Sequence, residues 1–445
     1  MKNSQDPDFG ATGQFELTGV YFVDKKTDAT FATTLGMESI KSLILLGAGH
    51  AHVQVLTQLA KNRRADLDVT LVTPWAYQTY SGMTPGYVAG HYAQAECQIN
   101  LEPLLREAGV RWISARCSGL DANTSSIMLD YGPSATSGPN SAPSAAHSPQ
   151  HISPLVSRPA MLTYNLLSID TGSVMERRVL DAHMPGAFEH GLPIRPIEQF
   201  VNRWTQATQQ AKAKAANHPG HVFQVCVVGA GATGIELAFA MQQGMKKHGV
   251  AARITLISAT TTVAANYPVG VQKRVIAHLR RKQIEVVFAQ CTQVHPDHLN
   301  LDNGNSLPSD LTVLANGAHA PTWLSHSGLA LDEHGHVLTN KHLQSTSHPN
   351  VFAAGDVATR LDLPHARNGV FAVRAGPNLG LNLLASASDQ PLNAHTPRAQ
   401  SLNILSCGTD HAIANWGRVS AEGGWAWRWK DRIDREFMAG FHRSG

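Results

Sequence analysis

Val225-Cys226-Val227-Val228-Gly229-Ala230-Gly231-Ala232-Thr233-Gly234-Ile235-Glu236 decides the fold. An apolar run of strand character stops at Gly229, and Ile235, Ala238 and Met241 then recur at helical spacing. In a Gly-x-Gly-x-x-Gly turn of this kind the first glycine makes the tight bend. The second lets the backbone approach a pyrophosphate, and the third packs helix on sheet. The helix N-terminus adds unpaired N–H groups and a positive dipole end for phosphates. A second unit stands upstream: Leu43-Ile44-Leu45-Leu46, then Gly47-Ala48-Gly49, then Val53, Leu56 and Leu59 at helical spacing. It departs from the pattern, with His52 at the third glycine position and His50 inside the turn. Each unit is followed by a short strand, Val69–Val72 and Ile254–Ile257. Strand–helix–strand with β-branched strands predicts parallel sheets, and two copies predict an α/β chain of two Rossmann-like doubly wound dinucleotide-binding domains.

The bulk properties agree. The chain has 445 residues, 43% hydrophobic and 16% charged, enough for two or three cores and too apolar for disorder throughout. Net charge is +3 from 36 basic and 33 acidic residues scattered along the sequence. Without a basic block, nucleic acid is not expected as a partner. Cys97, Cys117, Cys226, Cys291 and Cys407 form no Cys-x-x-Cys, and the 23 histidines form no ligand-spaced cluster, so no metal is expected. Sparse, odd cysteines and the lack of a leader-like or roughly 18-residue apolar run predict a cytoplasmic protein, with contact at the inner membrane face left open. Ser, Pro, Ala and Gly dominate from Gly132 to Pro159, the composition of an inserted flexible loop between strand-like pieces Ile127–Leu129 and Leu162–Ile169.

His50 and His52 have two readings: packed helix-start residues, or polar neighbours of a cofactor phosphate or ribose. Two apart on a helix, they point to different sides and would not share a metal. The strand that follows each turn helix ends without the carboxylate that would hold a ribose 2′-hydroxyl: Thr73-Pro74 and Ser258-Ala259 stand there, with no arginine either. NADH and NADPH both remain open.

Three further strand ends, Ile169-Asp170-Thr171-Gly172, Leu314-Ala315-Asn316-Gly317 and Val351-Phe352-Ala353-Ala354-Gly355-Asp356, complete a pattern. With the paired turns it resembles the two-dinucleotide-binding-domain flavoproteins, which include the pyridine nucleotide-disulfide oxidoreductases and type II NADH dehydrogenases. Gly49-His50-Ala51-His52-Val53, Tyr80–Gly86, Leu192–Glu198 and Trp427–Asp434 resemble more closely the subfamily also found fused to selenide, water dikinase. The resemblance implies an NAD(P) domain inserted in an FAD domain. Its boundaries are a flexible extension over 1–40, the FAD domain over 41–195 with an insertion at 132–160, the NAD(P)H domain over 196–318, the rest of the FAD domain over 319–400, and a cap or interface segment over 401–445.

The same resemblance places FAD at Gly47, Gly49, His50, Ala51, His52, Cys117, Thr171, Gly172, Gly355, Asp356, Val370 and Phe371, with Asp356 accepting from the ribityl chain. It places NAD(P)H at Gly229, Gly231, Thr233, Gly234, Glu236, Ser258, Asn316 and Gly317. Disulfide-using relatives carry a cysteine pair early in the FAD domain, where this chain has cysteine-free Tyr80–Gly86. The implied activity is hydride transfer from NAD(P)H to flavin, then to a quinone or other small acceptor, without a redox disulfide. The alternative is a flavin-binding accessory or redox-sensing protein linked to selenium metabolism. Glu236 is the catalytic candidate, beside the nicotinamide–flavin stack; the other reading is an exposed first-turn glutamate favoured by the helix dipole. Quinone-reducing relatives carry glutamines where this chain has Val370 and Arg374, which weighs against a quinone.

Trp425, Trp427 and Trp429 alternate as on a strand, and Trp429, Ile433, Phe437 and Phe441 recur as on a helix, so strand-to-helix with a start near Trp429 is expected. Packing on the FAD domain or in a homodimer is favoured over membrane contact through 425–441, because Asp431, Asp434 and Glu436 dilute the basic face.

Overall fold

The computed structural model of the chain describes residues 40–131, 160–365, 367–397 and 401–441. The extension expected over 1–40 and the insertion expected over 132–160 lie outside these residues, apart from 40 and 160.

Lys41–Leu46 is the centre of a five-stranded parallel sheet. Leu67–Val72 and then Arg111–Ile113 lie on one side, and Leu166–Ile169 and then Val351–Ala353 on the other. A parallel sheet covered on both faces needs continuous apolar strands, and Leu43 to Leu46 and Val351 to Ala353 are all buried. The strand order reverses at Lys41–Leu46, so a crevice opens at its carboxyl end, where Gly47 and Asp170 stand. The first turn helix, His50–Lys61, is covered by Gly369–Ala387, which approaches closely through small residues. A Cβ on Gly380 would stand 2.9 Å from the Cβ of Gln58.

The second sheet repeats the design. Phe223–Val228 lies between Ala252–Ser258 and Leu311–Leu314, flanked by Glu285–Phe288 and Gly191–Pro193, all parallel. Its edge strand at Gly191–Pro193 stands ahead of the boundary expected at 196. The order again reverses next to the glycine turn, between Gly229 and Ala315.

Two sequence expectations change. The piece expected over Leu162–Ile169 is two strands, Met161–Thr163 pairing with Ser126–Asp130 and Leu166–Ile169 in the main sheet. They part at Asn165, whose side chain accepts from the Ser42 amide at 2.7 Å and fixes the second piece to the central strand. At the C-terminus the strands are Leu402–Ser406, Ala412–Trp416 and Val419–Gly423, and Gly424–Ala439 is a helix. The three alternating tryptophans are therefore helical, and the helix starts five residues before the expected Trp429. Residues four apart drift about 40° per step around a helix, so the expected stripe divides. Phe437 and Phe441 pack on the first domain's core, while Trp429 and Ile433 stay outside. Trp425, Trp429 and Ile433 remain 45%, 43% and 38% exposed. Among the described residues no helix is long and apolar enough to cross a membrane.

Candidate active site

The crevice at the first sheet encloses a cavity of about 500 Å³. Gly47, Gly49, His50, Cys117, Thr171, Gly172, Gly355 and Asp356, all expected at a cofactor, line it. Ala51, His52, Val370 and Phe371 are not on its wall. His52 turns inward: Nε2 meets Ser168 Oγ at 2.8 Å and Nδ1 meets the Gly47 carbonyl, fastening the turn to the neighbouring strand. Of the two readings of this residue, the packed one is seen. His50 instead accepts from the Ser81 amide through Nε2 at 3.3 Å, and it does face the cavity. Burial pushes both imidazoles down to about 4, so both are neutral near pH 7.

The backbone amides of Val370 and Phe371 are engaged locally. Asn368 caps their helix, its Oδ1 accepting from both of their backbone amides at 3.1 and 3.2 Å. From the same helix start, Gly369 and Ala372 face the cavity.

Asp170, quoted in a strand-end motif but given no role, is one residue that sequence reasoning missed. Its Oδ2 accepts from the His52 amide at 2.9 Å, at the start of the first turn helix. A Cβ on Gly49 would collide with this carboxylate, so here the second glycine also makes room for an acid. Burial outweighs the stabilising amides and raises Asp170 to about 7. Arg195 is a second omission. Its guanidinium donates to Asp356 at 2.9 Å across the cavity mouth, joining the link to the second domain to the terminal Gly-Asp. The signal was present in Leu192-Pro193-Ile194-Arg195-Pro196, but only the fold brings Arg195 opposite Asp356. Glu198, also on the wall, accepts from the Thr79 amide at 3.2 Å and is raised by burial.

At the second turn, Gly229 has φ +113°, and a Cβ there would stand 3.0 Å from Ala315 and Asn316. Gly231 and Thr233 are exposed, Gly234 is packed against the Gly229 carbonyl, and Gly317 has φ +76°. Ser258 is buried and donates to the Thr260 carbonyl within its own loop.

Glu236 is not an exposed first-turn glutamate. Its Oε1 accepts from the Ser406 amide at 2.8 Å, under the C-terminal hairpin. Burial raises its carboxyl, offset in part by Lys430 and that amide. Burial would lower the Lys430 ammonium, but Asp434, 2.6 Å away, and Glu236 reverse this and raise it. Lys430 also donates to the Gly82 carbonyl at 2.6 Å, and Tyr80 beside it stacks on Phe437 at 4.4 Å. Both domains and the terminal helix thus meet at one buried charged cluster.

All five cysteines are free. Burial pushes each thiol up, to about 11 for Cys226 and Cys291 and about 12 for Cys97, Cys117 and Cys407. Reactive thiols need the opposite shift.

The orphaned polar atoms in the cavity test which ligand suits it. Gln78 Oε1 and Thr171 Oγ1 are buried there without hydrogen-bond partners. Such groups are costly unless a polar ligand meets them. A glycine turn, a helix start and unpaired polar atoms fit a dinucleotide cofactor.

Comparison with known proteins agrees with this geometry. The sequence pattern of the family described as pyridine nucleotide-disulphide oxidoreductase matches residues 41–375. An NADH dehydrogenase-like protein of Mycobacterium tuberculosis is 25% identical over 311 residues, 67% of this chain and 68% of the relative. A type II NADH:quinone oxidoreductase of Staphylococcus haemolyticus is 20% identical, covering 72% of this chain and 74% of its own. Among solved structures, the NDH2 of Plasmodium falciparum in complex with NADH aligns with a TM-score of 0.69 at 13% identity, over 91% of this chain and 99% of that one. The sulfide:quinone oxidoreductase of Aquifex aeolicus aligns at 0.68 and 16% identity, over 91% and 92%.

Proposed function

The chain belongs to the pyridine nucleotide-disulphide oxidoreductase family and is an oxidoreductase of the NAD(P)H dehydrogenase type; on that premise, we propose that it holds FAD in the first-domain cavity and NAD(P)H at the second turn, and reduces a quinone or other small acceptor without a redox disulfide. The observation that carries this reading is the cavity wall itself, where the Gly47 turn, Thr171-Gly172 and Gly355-Asp356 surround unpartnered polar atoms. Bound FAD would accept hydride from the nicotinamide and pass electrons onward. The chain's own groups do the rest. Asp356, aligned by Arg195, accepts hydrogen bonds, the helix starts take diphosphate charge, and Glu236, its carboxyl raised by burial, stands by Lys430 at the second turn. The complete second turn favours turnover over a passive flavin-binding role.

The test of the acceptor step is reductive titration of the holoprotein followed by mixing with a soluble quinone. Uptake of about two electrons per flavin and prompt reoxidation are expected. Uptake of about four, the signature of an extra disulfide, or failure of quinones and other small oxidants to restore the flavin, would overturn it.

Thiol alkylation gives an independent check. Because every thiol is held protonated by burial, treating the native holoprotein with iodoacetamide at neutral pH should leave at least roughly 80% of NAD(P)H oxidation intact. Loss of activity in step with alkylation of one cysteine would contradict a thiol-free path.

A pH dependence follows from Asp170. Its folded pKa, about 7, is raised, so its ionised form is a destabilising charge present above that value and lost as pH falls. Anionic diphosphate nearby would raise it further, so FAD binding takes up a proton. FAD affinity should weaken roughly tenfold from about pH 6 to about pH 9. Asp170→Asn should flatten the profile while keeping the His52 contact; equal slopes in both proteins, by flavin fluorescence titration, would refute the link.

The terminal helix packs on the first domain through Phe437 and Phe441, and exposed Trp425, Trp429 and Ile433 leave one face of 425–441 for peripheral membrane contact. A second copy covering this face is the homodimer alternative.

A further inference from the structure

Between the second domain and the C-terminal sheet lies a cluster that the proposed redox chemistry does not use. His278 lies on the helix Val269–Arg281, Glu422 on the last strand of the C-terminal sheet, and His411 just before that sheet's middle strand. One ligand atom from each comes within 4.8 Å of the others. His278 Nε2 stands 3.2 Å from Glu422 Oε2, and the two imidazole centroids are 4.6 Å apart. The His278 side chain is only 3% exposed, while Glu422, 26% exposed, gives the cluster one edge toward solvent.

A His278–Glu422 hydrogen bond alone does not account for the third member. His411 Nε2 is buried and has no hydrogen-bond partner, an expense the fold meets with nothing visible. A cation shared by the three groups satisfies that atom and both neighbours at once. We propose that His278, His411 and Glu422 form a divalent metal site of the zinc class, clamping the C-terminal sheet to the NAD(P)H domain. Two imidazoles and one carboxylate are a common zinc donor set, with a fourth position left for water. Metal–ligand bonds of about 2.0–2.2 Å put tetrahedral ligand atoms roughly 3.4 Å apart, so the longest gap must close by about 1.4 Å. Arg274 reaches the other Glu422 oxygen at 3.5 Å, leaving Oε2 for monodentate ligation. Arg281 and Arg274 are the cations near this cluster, and they weaken the site without blocking it. Sequence spacing could not show this cluster, because its members stand at 278, 411 and 422 and meet only through tertiary packing.

Cobalt(II) is the probe, added to tag-free, chelator-stripped holoprotein. About one equivalent should bind with visible d–d bands and be displaced by zinc. His278→Gln and His411→Gln should each weaken binding at least tenfold, with flavin content and far-ultraviolet circular dichroism unchanged. Glu422→Gln, at the solvent edge, serves if either histidine variant fails to fold. His334→Gln, at an exposed histidine, should bind as the wild type does. Absence of d–d bands in the wild type, or binding unaltered in every foldable variant of the three, would overturn the site.

Discussion

Gly231→Val is expected to keep the flavin and the fold while slowing flavin reduction by NAD(P)H at least about a hundredfold. The backbone there is extended, at φ −78° and ψ −176°, which any residue adopts. An added Cβ would meet no protein atom within 4 Å, so the protein itself has no need of glycine. The need comes from the ligand: the second glycine of the turn keeps side-chain bulk away from the pyrophosphate. Gly234→Val is the contrasting variant, because its Cβ would run into the Gly229 carbonyl. Overpacking of that kind costs about 1–3 kcal/mol and should lower the melting temperature. Thermal melts, flavin absorbance and single-turnover reduction separate the two. Normal reduction in Gly231→Val would remove the nucleotide from this turn.

Asp356→Ala should release the flavin, leaving less than about a tenth of the wild-type content after desalting. Asp356 ends the run from Val351 and points into the cavity, held by Arg195 at 2.9 Å. A hydrogen bond to a charged group is worth about 1.5–3 kcal/mol, roughly ten- to hundredfold in affinity. The variant also leaves the Arg195 guanidinium without its carboxylate. Asp356→Asn, which keeps an acceptor, should lose less. Equal flavin content in both variants and the wild type would take Asp356 out of the cofactor site.

What the sequence disclosed was the part governed by local rules. A strand, a glycine turn and a helix are specified within about fifteen neighbouring residues, and both copies stand where the periodicity of Leu43–Leu59 and Val225–Met241 placed them. Long-range partners were hidden. Neither Arg195 opposite Asp356 nor Asp170 beneath Gly49 follows from spacing. The glutamate after the second turn was legible as a candidate, but its enclosure by Ser406 and Lys430 depends on a hairpin more than 160 residues downstream. For His52 the sequence left two readings open, and only the fold shows that Ser168 from the adjacent strand claims its ring. The cap that Asn368 places on the amides of Val370 and Phe371 was likewise not legible from spacing. The terminal tryptophans misled because alternation over five residues fits a strand and a buried–exposed helix alike.

Anaerobic rapid mixing of the flavin-loaded protein with NADH and, separately, NADPH puts the whole arrangement at risk in one trace. Prompt loss of the oxidised flavin band with at least one of them is the predicted result. A yellow protein that stays oxidised against both would mean that the two glycine turns do not bring a reductant to the flavin.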